Sequence, residues 1–494
     1  MEKYIMAIDQ GTTGTRVLFV DKKGDIRGKA YKEFTQIYPK PGWVEHNPEE
    51  IWQVTLEVIK RCFEETKITP NQIDSIGITN QRETTILWDR LTGKPLYNAI
   101  VWQCRRTAPI CDKLKADGAE KIIQEKTGLV VDAYFSGTKI AWLLENIPNA
   151  RKKAEKGELA FGTIDTWLLY NLTGGKVFAT DYTNASRTMI YNIHEKKWDN
   201  ELLKLLQIPE SILPEVKPSS SVFGVTDSKL FENISIPVSG IAGDQQSALY
   251  GQGCWKPGTG KNTYGTGCFL LINNGEKAPL PCKGLVTTLA CDENGKPVYA
   301  LEGSVFITGA AIQWLRDGIK IINESPETEK IATSIQDTGG VYLVPAFTGL
   351  GAPYWNSEAR GALVGITRGT GQAEIVRATL ESIAYQTRDI VDLMNSGTEV
   401  SLTKLNVDGG ASQNNFLMQF QADILGIPLD RPKIIETTVM GAAFLAGLAT
   451  KFWSGPSELI NARVCEKTFI PKMDKPHRES LYDGWKKAVQ RVLL

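Results

Sequence analysis

Asp9-Gln10-Gly11-Thr12-Thr13-Gly14-Thr15-Arg16 is the stretch whose reading decides the fold. It lies between two apolar runs, Tyr4-Ile5-Met6-Ala7-Ile8 and Val17-Leu18-Phe19-Val20, so the local structure expected is a β-hairpin with a polar tip. Glycine lets backbone N–H groups converge on an anion, threonine adds hydroxyl donors, Arg16 adds positive charge, and Asp9 could hold a magnesium ion beside them. Taken alone, the stretch is either a phosphate-holding tip or an ordinary Gly/Thr turn.

The same pattern returns later. Asn262-Thr263-Tyr264-Gly265-Thr266-Gly267-Cys268-Phe269-Leu270-Leu271 again sets a Gly-Thr turn beside an apolar strand, after a glycine-dense junction over residues 251–260. The repeat is either a duplicated architecture, divided into residues 1–252 and 253–494 with one phosphate-facing hairpin from each part, or a chance likeness between two common Gly-Thr turns. The length agrees, because 494 residues exceed the size at which a single core keeps growing.

Composition narrows the function classes. Lys+Arg and Asp+Glu both total 56, which removes a global electrostatic argument for nucleic acid or an anionic membrane surface. No apolar run approaches the ~20 residues of a membrane span, and Met1-Glu2-Lys3-Tyr4 leads into Asp9 without a secretory core, so a cytoplasmic protein is expected. The eight cysteines are scattered with no Cys-x-x-Cys pair, which favours reduced thiols over a disulfide framework or a zinc site. His46, His194 and His477 are the only histidines and none adjoins a nucleophile motif, so acid/base chemistry falls to a carboxylate.

Along the chain, a third extended segment covers Ile26 to Phe34, Asn47-Pro48 caps and starts a helix through Phe63, and strands follow at Ile73 to Ile78 and Thr84 to Trp88. This β-β-β-α-β order predicts a mixed sheet flanked by helices. Between the last two strands, Thr79-Asn80-Gln81-Arg82-Glu83 reads by pattern as an exposed hairpin tip; the alternative is a donor and acceptor pair gripping the hydroxyls of a small polyol. Trp102 and Tyr134 are core aromatics or an aromatic wall for such a ligand. Residues 217–221 read as a loop. Ile236 to Gly243 reads as a strand, placing Asp244 at its carboxyl end, where open α/β folds bind ligands; the plain alternative is a helix cap.

In the second part, Gly309 begins a helix and Gln372 to Met394 carries a core stripe of Val376, Leu380, Ile383, Thr387, Val391 and Met394. Strand Leu405 to Asp408 runs into Gly409-Gly410-Ala411-Ser412-Gln413-Asn414, where paired glycines before a helix suit a nucleotide. Neither a Walker sequence nor Gly-x-Gly-x-x-Gly occurs, so a P-loop ATPase and an ordinary Rossmann dehydrogenase are disfavoured.

With these pieces placed, the chain resembles the FGGY carbohydrate kinases over nearly its full length. The resemblance is carried by Asp9-Gln10-Gly11-Thr12-Thr13, Asn80-Gln81-Arg82-Glu83-Thr84-Thr85, Trp102-Gln103-Cys104-Arg105-Arg106-Thr107, Gly240-Ile241-Ala242-Gly243-Asp244-Gln245-Gln246 and Asp408-Gly409-Gly410-Ala411-Ser412. Both family signatures are present, at Tyr134 to Asn146 and Gly361 to Glu381. It implies an α/β fold of two actin-like, ribonuclease-H-like domains of related topology, with ATP and substrate in the cleft between them. The activity implied is transfer of the γ-phosphoryl group of ATP to glycerol, giving sn-glycerol 3-phosphate. Arg82, Glu83, Tyr134, Asp244 and Gln245 would then bind glycerol, with Trp102 and Phe269 against its carbon edge and Asp244 as general base. Thr12, Thr13, Gly14, Arg16, Thr266, Gly309, Gln313, Gly410 and Asn414 would contact the nucleotide, and Mg2+ would lie near Asp9. A homo-oligomer, dimer or tetramer, is also implied. Some bacterial members bind fructose 1,6-bisphosphate on a glycine-rich loop with an arginine; here Thr226-Asp227-Ser228-Lys229-Leu230-Phe231-Glu232-Asn233 lacks both. The alternatives are another sugar or polyol kinase of the family and, in a different class, an actin-like ATP-binding switch protein.

Overall fold

The computed structural model describes residues 1–356, 358–398 and 400–494. Strands β1 (Tyr4–Gln10) and β2 (Gly14–Val20) pair antiparallel, with Asp9 opposite Arg16 and Gln10 opposite Thr15. Ile5 to Ile8 and Val17 to Val20 are all fully buried, because this sheet is covered on both faces and its strands need no polar alternation. β3 (Ile26–Glu33) extends the hairpin. Helix α1 (Pro48–Thr66) starts as its sequence predicts: the Asn47 side chain accepts the N–H groups of Glu49 and Glu50, and Pro48 needs no partner at the first position. It buries Ile51, Val54, Val58, Ile59 and Cys62 over β2 and β3, at roughly 1.5–3 kcal/mol for each large aliphatic side chain.

β4 (Ile73–Asn80) returns parallel to β1. A long excursion containing α2 (Ser136–Asn146) precedes β5 (Ser220–Val225), β6 (Pro237–Gly243) and α3 (Asp244–Gly251). The first sheet has the order β5-β6-β4-β1-β2-β3. The second half begins with the hairpin β7 (Thr259–Tyr264) and β8 (Cys268–Gly275), followed by β9 (Val286–Cys291), β10 (Pro297–Val305), α4 (Gly309–Gln313) and α5 (Gln372–Ser396). β11 (Lys404–Asp408), α6 (Asn415–Leu425), β12 (Leu429–Pro432), α7 (Thr437–Ala449), β13 (Cys465–Phe469) and α8 (Lys475–Leu493) complete it.

The second sheet runs β9-β10-β8-β7-β11-β12-β13. Read from β13 to β10, it repeats the first sheet strand for strand: an antiparallel edge pair, two parallel steps, then two antiparallel steps through the hairpin. This is the duplicated actin-like, ribonuclease-H-like architecture. The α5 stripe from Val376 to Met394 is buried throughout.

The helices that follow the corresponding strands β6 and β12 are exchanged. α7, from the second half, packs on β1, β4 and β6 of the first, placing Val439, Ala443 and Leu445 in one cluster with Ile5, Ala7 and Leu18. α3, from the first half, puts Leu249 against Leu271, Ala290 and Val298 of the second sheet. The two helices meet backbone to backbone: a Cβ at Gly441 would lie 1.8 Å from the Ser247 carbonyl oxygen, and one at Gly251 2.2 Å from that of Thr437. Only glycine permits that approach.

Three local expectations change. Ile86–Asp89 does not pair with β4; it pairs antiparallel with Leu159–Gly162 in the excursion. Residues 79–83 are consequently no hairpin tip, and Thr79, Asn80, Gln81, Arg82 and Glu83 are all buried. Residues 220 and 221, expected in a loop, open strand β5, whose Ser220 pairs with Gly240. Among the described residues no helix is long and apolar enough to cross a membrane, and all eight cysteines are free.

Candidate active site

Three parallel strands end at one level. Gln10 at the end of β1 pairs with Asn80 at the end of β4, which pairs with Gly243 at the end of β6. The segments that leave these ends, Gly11 to Thr13, Gln81 to Glu83 and Asp244 to Gln245, therefore emerge side by side along the carboxyl edge. In the second half Thr263 pairs with Asp408, so the second hairpin tip and Gly409-Gly410 are neighbours in the same way.

Arg82 is the hub of the first set. Its Nε forms an ion pair with Asp244 Oδ1 at 2.9 Å, Nη1 donates to Glu302 Oε2 at 2.6 Å and to Gln246 Oε1 at 3.2 Å, and Nη2 donates to Glu302 Oε1 at 3.2 Å and the Tyr134 hydroxyl at 3.4 Å. Glu83, held at φ 61°, accepts from Arg187 Nε at 2.6 Å, and Arg187 Nη2 donates to Glu302 at 2.9 Å. Burial raises the Glu83 carboxyl, against the pull of Arg187 and Arg82; burial also opposes ionisation of Glu302, but the same two guanidinium groups override it and bring that carboxyl to about 2. Asp244 is more than a helix cap: Gly243 occupies the cap position, and Oδ1 takes the Gln245 N–H as well as Arg82. Gln245 Oε1 accepts from Lys261 Nζ, which also donates to Thr263 Oγ1 at 2.9 Å and to the Phe269 carbonyl at 3.2 Å. Burial lowers the Lys261 ammonium to about 8 despite Asp408, Asp244 and Glu302 nearby.

Trp102 meets Tyr134 edge-on with centroids 5.6 Å apart, and its indole N–H donates to Thr12 Oγ1 at 2.9 Å. The first hairpin tip is further held by buried groups. Gln81 Nε2 donates to Gln10 Oε1 and to the Gly11 carbonyl, both at 3.1 Å, and lies 3.3 Å from His46 Nδ1. His46 Nε2 meets Gln36 Oε1 at 2.8 Å, and Gln36 Nε2 donates to the Thr12 carbonyl at 3.0 Å. Burial lowers the His46 ring to about 4, so this support stays neutral.

At the tip, Thr13 is exposed and Arg16 Nε is buried without a protein partner, while Gly14 admits the Tyr31 hydroxyl close to the backbone. Asp9 is raised to about 6 by burial, with Arg16 lowering it and Asp244 adding to the rise. A half-buried carboxylate beside a second carboxylate suits a magnesium ion, which takes one or two carboxylates and keeps much of its water.

In the second half, Gly265 and Thr266 carbonyls accept the N–H groups of Gly309 and Ala310 at 3.0 and 3.1 Å, joining the tip to α4; Gln313 lies exposed at its end. Gly409 has φ 84° and a Cβ there would strike the Tyr264 carbonyl, whereas Gly410 borders open space. Asn414 has structural work as well: Oδ1 caps α6 at Leu417 N–H and Nδ2 donates to Thr328. The structure thus joins Arg82, Glu83, Tyr134, Asp244 and Gln245 through hydrogen bonds and the Arg82–Asp244 ion pair, with Arg187, Glu302 and Lys261 completing the network. Sequence reading missed those three; the available signal was a single charge inside an apolar strand, as in Ala300-Leu301-Glu302-Gly303.

The FGGY family of carbohydrate kinases, N-terminal domain, matches residues 4–251, and the C-terminal domain of the same family matches residues 260–450. The chain belongs to the FGGY family of carbohydrate kinases. Its full-length relatives include glycerol kinase of Caldanaerobacter subterraneus subsp. tengcongensis, 61% identical over 493 residues, 100% of this chain and 99% of that protein. Glycerol kinase 2 of Thermotoga maritima is 60% identical, with 99% of both chains covered. The crystal structure of Plasmodium falciparum glycerol kinase with ADP superposes with a TM-score of 0.95 at 41% identity, covering 100% of this chain and 99% of that one. The ligand-bound xylulose kinase of Lactobacillus acidophilus shares the fold, with a TM-score of 0.87 at 24% identity over 97% of this chain and 96% of that one.

Proposed function

We propose that this kinase transfers the γ-phosphoryl group of Mg-ATP to the primary hydroxyl of glycerol, giving sn-glycerol 3-phosphate, in the cleft between residues 1–252 and 253–494. The observation that carries the reading is that Asp244 and Tyr134, expected on the substrate hydroxyls, meet on one guanidinium, that of Arg82. A primary alcohol has a very high pKa, so a positioned carboxylate must take its proton as phosphorus is attacked, and Asp244 does so. Arg82, Tyr134 and Gln245 fix the triol, Glu83 accepts from a hydroxyl, and Trp102 and Phe269 cover the carbon edge. Thr12, Thr13, Gly14 and Arg16 face the phosphates from one hairpin and Thr266 from the other; Gly309, Gln313, Gly410 and Asn414 line the nucleotide side. Asp9 would hold magnesium, which when bound neutralises charge on the transferring phosphoryl oxygens. Docking of the halves excludes water that would otherwise be phosphorylated.

A coupled ADP-release assay over glycerol, dihydroxyacetone, glyceraldehyde, xylulose, ribulose, gluconate and fuculose tests the assignment. Glycerol should lead, the other three-carbon compounds should trail it, and the sugars should sit near background, since each buried polar group left unpaired costs about 1–3 kcal/mol. A pentulose matching glycerol in kcat/KM would move the assignment to another kinase of the family. ADP release at one rate whatever the polyol would favour an ATP-binding switch, for which a buried polyol-binding network has no use.

A further inference from the structure

Glu302 belongs to the second half of the chain, but its carboxylate lies among groups of the first. It sits on β10 in an apolar stretch and is 5% exposed. Its partners, Arg82 and Arg187, are 220 and 115 residues away. Four of the five N–H groups of Arg82 make hydrogen bonds, two of them to Glu302, while Nε lies in a 2.9 Å ion pair with Asp244 Oδ1.

That division controls the base. Asp244 Oδ1 is occupied by Arg82 Nε and the Gln245 N–H, while Oδ2 has no hydrogen-bond partner among the described residues. A guanidinium prefers to engage a carboxylate through two parallel bonds. With Glu302 present, the fork of Arg82 is satisfied across the cleft, and Asp244 keeps an oxygen for the substrate hydroxyl. Without that charge, Arg82 turns its second face to Asp244 and occupies both oxygens. Arg187, which fixes Glu83, loses one of its two carboxylate partners as well.

We propose that Glu302 is a positioning residue for phosphoryl transfer: it reaches from the second half to hold Arg82 and Arg187, so that the polyol site is complete only when the two halves are docked. The inference rests on the reading of Arg82 as a glycerol ligand and Asp244 as the base.

The test uses Glu302→Gln, Glu302→Asp and, as a control on the site itself, Arg82→Met in the full-length enzyme. Steady-state kinetics in both substrates are combined with ADP binding by calorimetry and the melting shift produced by glycerol and by ADP. Glu302→Gln should raise the glycerol KM by roughly tenfold or more, lower kcat, and lose the glycerol-induced melting shift, with the Kd for ADP within about twofold of wild type. Glu302→Asp keeps the charge on a shorter stem and should fall between the two, which supplies the measurement if the glutamine variant does not fold. A Glu302→Gln enzyme with a lower melting point but wild-type glycerol KM and kcat would show a plain structural ion pair and overturn the proposal. Arg82→Met with an unchanged glycerol KM would overturn the polyol-site reading and this inference with it, whereas a loss at Arg82 alone would sink only the role of Glu302.

Discussion

The indole N–H of Trp102 donates to Thr12 Oγ1 at 2.9 Å, so the wall proposed for the polyol pocket is fastened to the tip of the hairpin proposed to face the phosphates. Trp102→Phe keeps an aromatic wall and removes the donor. Such a bond contributes about 0.5–1.5 kcal/mol, so the KM for ATP should rise roughly 2- to 10-fold, although the residue stands on the glycerol side. Steady-state kinetics with ATP varied at saturating glycerol checks this. An effect confined to the glycerol KM would mean that the bond carries no information between the two sites.

Asp244→Asn should cut turnover by roughly 10²- to 10⁴-fold, the usual contribution of a general base, with little change in nucleotide affinity. Asn retains an oxygen for Arg82 Nε but is a very poor proton acceptor. Single-turnover phosphoryl transfer by the purified variant is the direct measurement, and near-wild-type rates would remove Asp244 from that role.

Asp9 makes nucleotide binding depend on pH. Its folded carboxyl titrates at about 6, above the ordinary 3.8, so the charged form is the one that costs stability. The ligand-free protein therefore holds this contribution in full below the ordinary value and loses it as pH rises through about 6. A magnesium ion favours the carboxylate, so binding Mg-ADP below that pH must release the proton and affinity must fall. Calorimetry near pH 5.5 in two buffers of different ionisation enthalpy should show proton release that disappears near pH 8. Asp9→Asn should remove its share of that release and raise the ligand-free melting temperature at neutral pH; identical release from both proteins would count against Asp9.

Fructose 1,6-bisphosphate should inhibit weakly or not at all. The segment Thr226 to Asn233 has no arginine, Asp227 is spent capping the turn over Ser228–Leu230, and Glu232 adds a second negative charge against a bisphosphate. Loss of activity, or a change in oligomeric state, at millimolar inhibitor would refute this.

The hairpins, α1 and α5 were legible because their signals are local: an Asn-Pro helix start, a Gly-Thr tip between apolar runs, and a stripe at helical spacing. Residues 79–83 were not. Five polar residues in a row look like surface, but Arg187 and Glu302 arrive from 104 and 220 positions away to neutralise Glu83 and Arg82, and Asn184 and Gln10 bond Asn80 and Gln81. The family resemblance named Arg82 and Asp244 but not the groups that hold them, since a supporting charge has no motif of its own. Glu302 within an apolar strand and Lys261 beside the second tip were the traces left in sequence, and each also fits an exposed edge strand.

The exchange of α3 and α7 bears on how the protein comes into being. The face of the first sheet that α7 covers, with Ile5, Ala7 and Leu18, is made long before its cover, which ends at Ala449. During synthesis that greasy surface stays open until most of the chain has left the ribosome, so the amino-terminal half cannot be finished by itself in the usual order of domain-by-domain folding. A nascent chain stopped before Thr437 would present an adhesive surface to chaperones, and adding back the missing helix as a peptide would be the natural remedy.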